Sequence, residues 1–164
     1  MRRAFGIAIA VLLLATNAWL LWPRPRADAG LRLEPARLEL HVGEMALVRI
    51  VNLEADAVAL GFRLRFDADV ITIGDVQPAL AELFAGGQAI VVPPRPGPGE
   101  LVVPGIAVSG GRVFEPGAPV YTFTIRAFRA GTTLLRLDDA VTVDLGERER
   151  RLPAATAQVH VRTG

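Results

Sequence analysis

Gly61-Phe62-Arg63-Leu64-Arg65-Phe66-Asp67-Ala68-Asp69-Val70 is the stretch that decides the fold. Phe62, Leu64 and Phe66 fall on alternate positions, so a strand puts them on one face and Arg63 and Arg65 on the other. Asp67 and Asp69 then close the strand, because a short carboxylate bonds nearby backbone N–H groups and turns the chain. The same period of two continues in both directions. Upstream, residues 37–42 set Leu38, Leu40 and Val42 on one face, Gly43-Glu44 turns, and residues 45–52 give another strand. Downstream, strands are expected at residues 70–73, 88–92, 101–108, 120–128, 132–137, 141–145 and 157–162. No helical period of useful length intervenes, beyond a turn or so near residues 78–83. Short alternating strands separated by Gly, Pro and Asp predict an all-β fold, an antiparallel sandwich.

The first 29 residues are a different kind of polymer. Met1-Arg2-Arg3 is basic, and Ala4 to Trp22 follows as 19 residues without a charge. A helix of that length spans roughly 28 Å, about the thickness of a hydrocarbon core. Trp19 and Trp22 stand at its far end, where indoles favour the headgroup layer. Gly6, Ala10 and Ala18 leave room for another helix to approach closely. The expected organisation is a cytoplasmic stub (1–3), a transmembrane signal-anchor helix (4–22), a linker (23–30) and the sandwich (31–164). Such a chain crosses a bacterial inner membrane once, with its C-terminal domain in the periplasm or outside the cell. Ala27-Asp28-Ala29 also fits a small-x-small processing site, so release by cleavage before Gly30 is the alternative.

Separating the two parts changes the charge. The chain of 164 residues carries 18 Arg, no Lys and 17 acids, net +1. Residues 30–164 alone hold 14 Arg against 16 acids, net −2. Nucleic acid is not an expected partner, since phosphate contacts need clustered cations. The absence of Cys removes disulfides, thiolate catalysis, thiolate zinc sites and iron–sulfur clusters.

Taken in order, Val51-Asn52 and then Gly61-Phe62-x-Leu64-x-Phe66-Asp67-x-Asp69-Val70 resemble the early strands of cohesin domains. Val120-Tyr121-Thr122-Phe123-Thr124-Ile125-Arg126-Ala127, followed by Ala130-Gly131-Thr132-Thr133 and Leu135 to Asp138, is similar to the family's late strand, Ala-Gly-Thr turn and following strand. The resemblance covers about residues 31–162. It implies a nine-stranded jelly-roll sandwich, related to some carbohydrate-binding modules, with a noncatalytic protein-binding role. It further implies dockerin pairing through the sheet containing strands three, five, six and eight. By position that face takes residues 88–92, 101–108 and the strand around Arg63 and Arg65. Here the chain departs from the family, which commonly places polar residues there. Ile90-Val91-Val92 and Leu101-Val102-Val103 are almost wholly aliphatic, and this counts against a dockerin as the partner.

Catalysis finds little to work with. His41 and His160 sit at outward positions near strand ends, and Ser109, the only serine, lies in Ser109-Gly110-Gly111 without a nucleophile-elbow context. Asp67, Asp69, Asp138, Asp139 and Asp144 could offer hard oxygen ligands to calcium, but each is expected at a strand end, where Asp favours turns. Carbohydrate is a poor fit as ligand, because both Trp lie in the anchor and Tyr121 is the only tyrosine. No enzyme, cofactor or metal site is therefore expected. Pro93-Pro94-Arg95-Pro96-Gly97-Pro98-Gly99 reads as a stiff loop that guards strand edges, and Glu147-Arg148-Glu149-Arg150-Arg151 as a solvated turn.

Strands apolar on both faces should direct some aliphatic side chains outward, and an outward apolar patch marks a partner surface. Ile90, Val91, Val92, Leu101, Val103 and Ile106 are the expected protein-binding residues. The whole then reads as a membrane-anchored, noncatalytic module. Its helix and sandwich would hold other membrane subunits together in a respiratory, photosynthetic, secretion or pilus assembly, with the lipid bilayer as the second partner.

Overall fold

The computed structural model describes residues 30–79 and 88–164. The expected anchor, with Gly6, Ala10, Ala18, Trp19 and Trp22, lies outside the described residues, as does most of the helical turn expected at 78–83. Among the described residues no helix is long and apolar enough to cross a membrane.

The described chain is all-β. Its strands are β1 (Leu31–Glu34), β2 (Arg37–His41), β3 (Met45–Asn52), β4 (Ala57–Arg65), β5 (Ile71–Pro78) and β6 (Ala89–Val92). They continue as β7 (Arg95–Gly97), β8 (Glu100–Val108), β9 (Pro119–Ala127), β10 (Gly131–Asp144), β11 (Glu149–Arg151) and β12 (Ala155–Arg162). The smaller sheet has the order β1-β3-β9-β5. The larger runs β2-β12-β10-β4-β8-β6, with β11 beside β10 and β7 beside β8.

Alternation decides which side chains meet between the sheets. Phe62 and Leu64 of β4, Leu135 and Leu137 of β10, and Val159 and Val161 of β12 are buried from the larger sheet. Val48 and Ile50 of β3, Ile71 of β5, and Tyr121, Phe123 and Ile125 of β9 are buried from the smaller one. Each such side chain removed from water stabilises the fold by about 1.5–3 kcal/mol before the entropy of ordering is counted. Phe62 and Tyr121 meet edge-to-face across the interior, ring centroids 5.7 Å apart at 84°.

Four expectations about the elements need correction. Residues 132–137 and 141–145 are not two strands: β10 runs unbroken from Gly131 to Asp144, and Asp138-Asp139 is a bulge, not a turn. Asp139 takes φ 49°, which Asp tolerates better than most residues. The extra residue keeps Leu137 and Ala140 both inward while Asp138 and Val141 both stay on the outer face. Second, the larger sheet is mixed, since β2 pairs with β12 in parallel. Third, the proline-rich run is not all loop, because Arg95-Pro96-Gly97 is β7 and pairs with β8. Finally, the 147–151 turn is tied down: Arg150 reaches the buried Glu54 at 2.7 Å and Asp56 at 3.3 Å.

Candidate protein-binding face

The outer face of β10-β4-β8-β6 divides into two halves. In one, the cross-strand register sets Arg63 opposite Asp138 and Val102, and Arg65 opposite Arg136 and Glu100. Arg136 Nε donates to Asp138 Oδ1 at 2.7 Å, and Arg65 lies 3.8 Å from the same carboxylate. Arg63 lies 3.8 Å from Glu100 and 3.9 Å from Asp139. Three cations thus share three carboxylates at mostly long separations. Arg63 Nε and Asp138 Oδ2 are shielded from solvent and have no hydrogen-bond partner among the described residues. Polar atoms left in that state usually cost free energy, while the side chains of Arg65 and Arg136 stay about half-exposed and accessible from solvent.

In the other half the face is apolar and shallow. Ile90 and Val92 of β6 stand outward, and Ile90 lies opposite Ala107, which lies opposite Ala59, which lies opposite Val143. Gly61 sits in the middle of this field opposite Val141. A Cβ at Gly61 would come within 2.9 Å of the Pro104 carbonyl oxygen, so only glycine lets β8 bulge so close. Two shallow depressions of about 190 and 160 Å³ flank Gly61, sharing Pro104 and Val141 as walls.

The expected binding residues are split by this geometry. Ile90 is 67% exposed and Val92 40%, so both lie on the surface as expected. Val91 is half-buried and packs against the core. Leu101, Val103 and Ile106 are at most 2% exposed: they are core residues and cannot present themselves to a partner. The reason is that β8 still alternates. Its outward positions hold Glu100, Val102, Pro104 and Ala107, three of them apolar, which hides the alternation in the sequence. The bulge opposite Gly61 then shifts the phase so that Ile106 returns inward. Sequence reasoning missed the contribution of β10, whose Arg136, Asp138, Val141 and Val143 complete the face. The signal was the alternation of Leu135, Arg136, Leu137 and Asp138, obscured by reading Asp138-Asp139 as a turn.

The remaining candidates are dispersed. Ser109 follows β8 and bonds the Gln88 carbonyl at 3.2 Å, whereas His160 bonds Thr132 at the opposite end of β10. His41 is exposed beside Glu44, so neither histidine approaches the serine. Asp67 Oδ1 accepts the Asp69 N–H, and Asp144 Oδ1 accepts those of Gly146 and Arg148, which is turn chemistry. Among the described residues no three His, Asp or Glu gather as a metal site. Tyr121 is fully buried, and burial pushes its hydroxyl up to about 12, so it offers no stacking platform to a sugar.

No family model matches the chain, and no curated protein matches it in sequence. Solved structures do match. A cohesin module from the family 33 glycoside hydrolase of Clostridium perfringens superposes with a TM-score of 0.65 at 12% identity, over 84% of this chain and 99% of that one. The sandwich has the cohesin fold. A non-cellulosomal cohesin from Archaeoglobus fulgidus gives 0.63 at 12% identity, over 83% and 92% of the two chains. A chain of a type I cohesin–dockerin complex from Clostridium thermocellum gives 0.58 at 12% identity, over 85% and 99%. The cohesin-like domain therefore fills nearly the whole described chain.

Proposed function

We propose that the cohesin-like domain is a noncatalytic protein-binding module that takes its partner on the outer face of β10-β4-β8-β6. The observation that carries this reading is the composition of that face: an apolar field centred on Gly61 beside an ionic cluster with an unbonded donor and acceptor. Interfaces are built in this way, with an apolar centre that excludes water and polar groups that fix orientation. Supporting this reading, the resemblance implies partner binding on β4, β8 and β6, and several structures of this fold were solved with dockerins. The case against a dockerin rested on an almost wholly aliphatic face. With Leu101, Val103 and Ile106 in the core and five exposed or half-exposed charged side chains around Asp138, that case weakens, and a dockerin-like module joins membrane subunits as a candidate partner.

The wider role completes the proposal. Residues 4–22 anchor the domain in the bacterial inner membrane, and the exposed face braces a larger membrane assembly. Release before Gly30 would instead yield a free secreted module with the same face, and N-terminal sequencing of the native protein distinguishes the two.

Variants on the face test the binding reading. Val102→Asp and Arg63→Glu should weaken capture of the native partner by at least about tenfold, since charges placed in or reversed at an interface lose both packing and pairing. Both sites are outward, so the melting temperature should shift by only a few degrees. Undiminished capture by both variants would overturn the assignment. Val103→Asp is unsuitable as a binding test, because a carboxylate in the core unfolds the domain.

A further inference from the structure

The sheet edges are guarded unequally. Among the described residues, β1 and β2 carry Arg32 and Glu34, and Arg37, Glu39 and His41. The β5 edge is broken by a register shift at Gly74, with Asp75 at φ 48°, and ends in Pro78. The flanking strands β7 and β11 add Arg95-Pro96 and Glu149-Arg150-Arg151. Charges, prolines and bulges are how edges avoid pairing with another chain. Among the described residues, only the edge strand β6, Ala89-Ile90-Val91-Val92, has none of them within it.

The hydrogen bonding of β6 shows which of its groups are open. Ser109 N–H donates to the Gln88 carbonyl at 3.1 Å, and the register continues as Ile90 opposite Ala107 and Val92 opposite Gly105. In an antiparallel ladder, hydrogen-bonded and non-bonded pairs alternate. Gln88, Ile90 and Val92 therefore direct their N–H and C=O groups toward β8, while those of Ala89 and Val91 point to the opposite edge, which has no partner strand among the described residues.

We propose that β6 pairs with β6 of a second copy, antiparallel about a two-fold axis at Ile90. In this register Ala89 lies opposite Val91 of the second copy, and Val91 opposite its Ala89, so every open group of both residues is satisfied reciprocally. A self-complementary patch of this kind is what an isologous dimer requires. Ile90 then meets Ile90 of the second copy as a non-hydrogen-bonded pair, with Cα atoms about 4.5 Å apart. No charge opposes its like. Centring the axis on Val91 is worse, because Pro93, which has no N–H, falls opposite Ala89. The outer faces of the two copies also join, running the apolar fields of Ile90, Ala107 and Ala59 together across the axis.

The chain contains no cysteine, which makes the register directly readable. In the full-length protein in detergent, Ile90→Cys should form disulfide-linked dimers at least about tenfold faster than Leu47→Cys, because a non-bonded cross-strand pair falls within disulfide reach. Leu47 is comparably exposed, at 51%, but lies on the smaller sheet. In sedimentation, the cysteine-free protein should show a concentration-dependent dimer that Ile90→Lys weakens by at least about tenfold through like charges at the axis. Equal linking rates for the two cysteines, or a wild-type chain that stays monomeric at every concentration, would overturn the proposal.

Discussion

Asn52 Nδ2 donates to the carbonyls of Glu54 at 2.7 Å and Phe114 at 3.2 Å, and its Oδ1 accepts the Glu54 N–H at 3.1 Å. The side chain is fully buried and holds the β3–β4 connection against the segment before β9. Asn52→Ala leaves all three backbone groups without that partner, and chemical denaturation should show a loss of about 2–4 kcal/mol. Tyr121 makes the opposite prediction. Its hydroxyl is buried, lacks a partner among the described residues, and is pushed up to about 12 by desolvation. An unfolded tyrosine ionises near the ordinary value of about 10, so the unfolded state loses its proton first and stability falls as pH rises from about 10 to 12. Tyr121→Phe should abolish that alkaline loss and cost little stability at neutral pH. Since the chain has one tyrosine, tyrosinate absorbance in the folded protein reads the same group; titration near pH 10 would refute the assignment.

At the scale of the element, the strands around Phe62, Leu64 and Phe66 were legible because apolar and charged residues alternate cleanly there. Strand β8 was legible as a strand but not as a face. Valine and alanine on the outside look like valine and leucine on the inside, and only the fold decides which are covered. The bulge at Asp139 was misread as a turn because Asp suits both, and the choice depends on whether the next strand continues the same ladder. The β10–β11 hairpin shows the converse error, a run of mixed charge that looked solvated but carries a long-range tie. Arg150 joins it to Glu54, whose side chain is 6% exposed, across 96 positions of sequence. Arg150→Ala strands that carboxylate without its cation. About 1–2 kcal/mol should be lost, discounted because the arginine is itself half-exposed, and hydrogen exchange should quicken at β11. Unchanged exchange there would show that the tie is ornamental.

For the whole molecule, the period of two led to an all-β sandwich but to an incomplete outer face. The scarcity of His, Ser and Cys argued against catalysis, and the geometry scatters the few candidates to opposite ends of the sandwich. Among the described residues, the two-sheet architecture sets apolar relief and an under-bonded ionic cluster side by side on one face, and that face is the proposed partner site. Site-specific photo-crosslinking in the native cell tests it most directly, with a photoreactive residue placed at Val102 on the larger sheet or at Thr124 on the smaller one. A discrete crosslinked protein is expected from position 102, disappearing with Arg63→Glu, and none from position 124. Crosslinking confined to position 124 would contradict binding on the larger sheet.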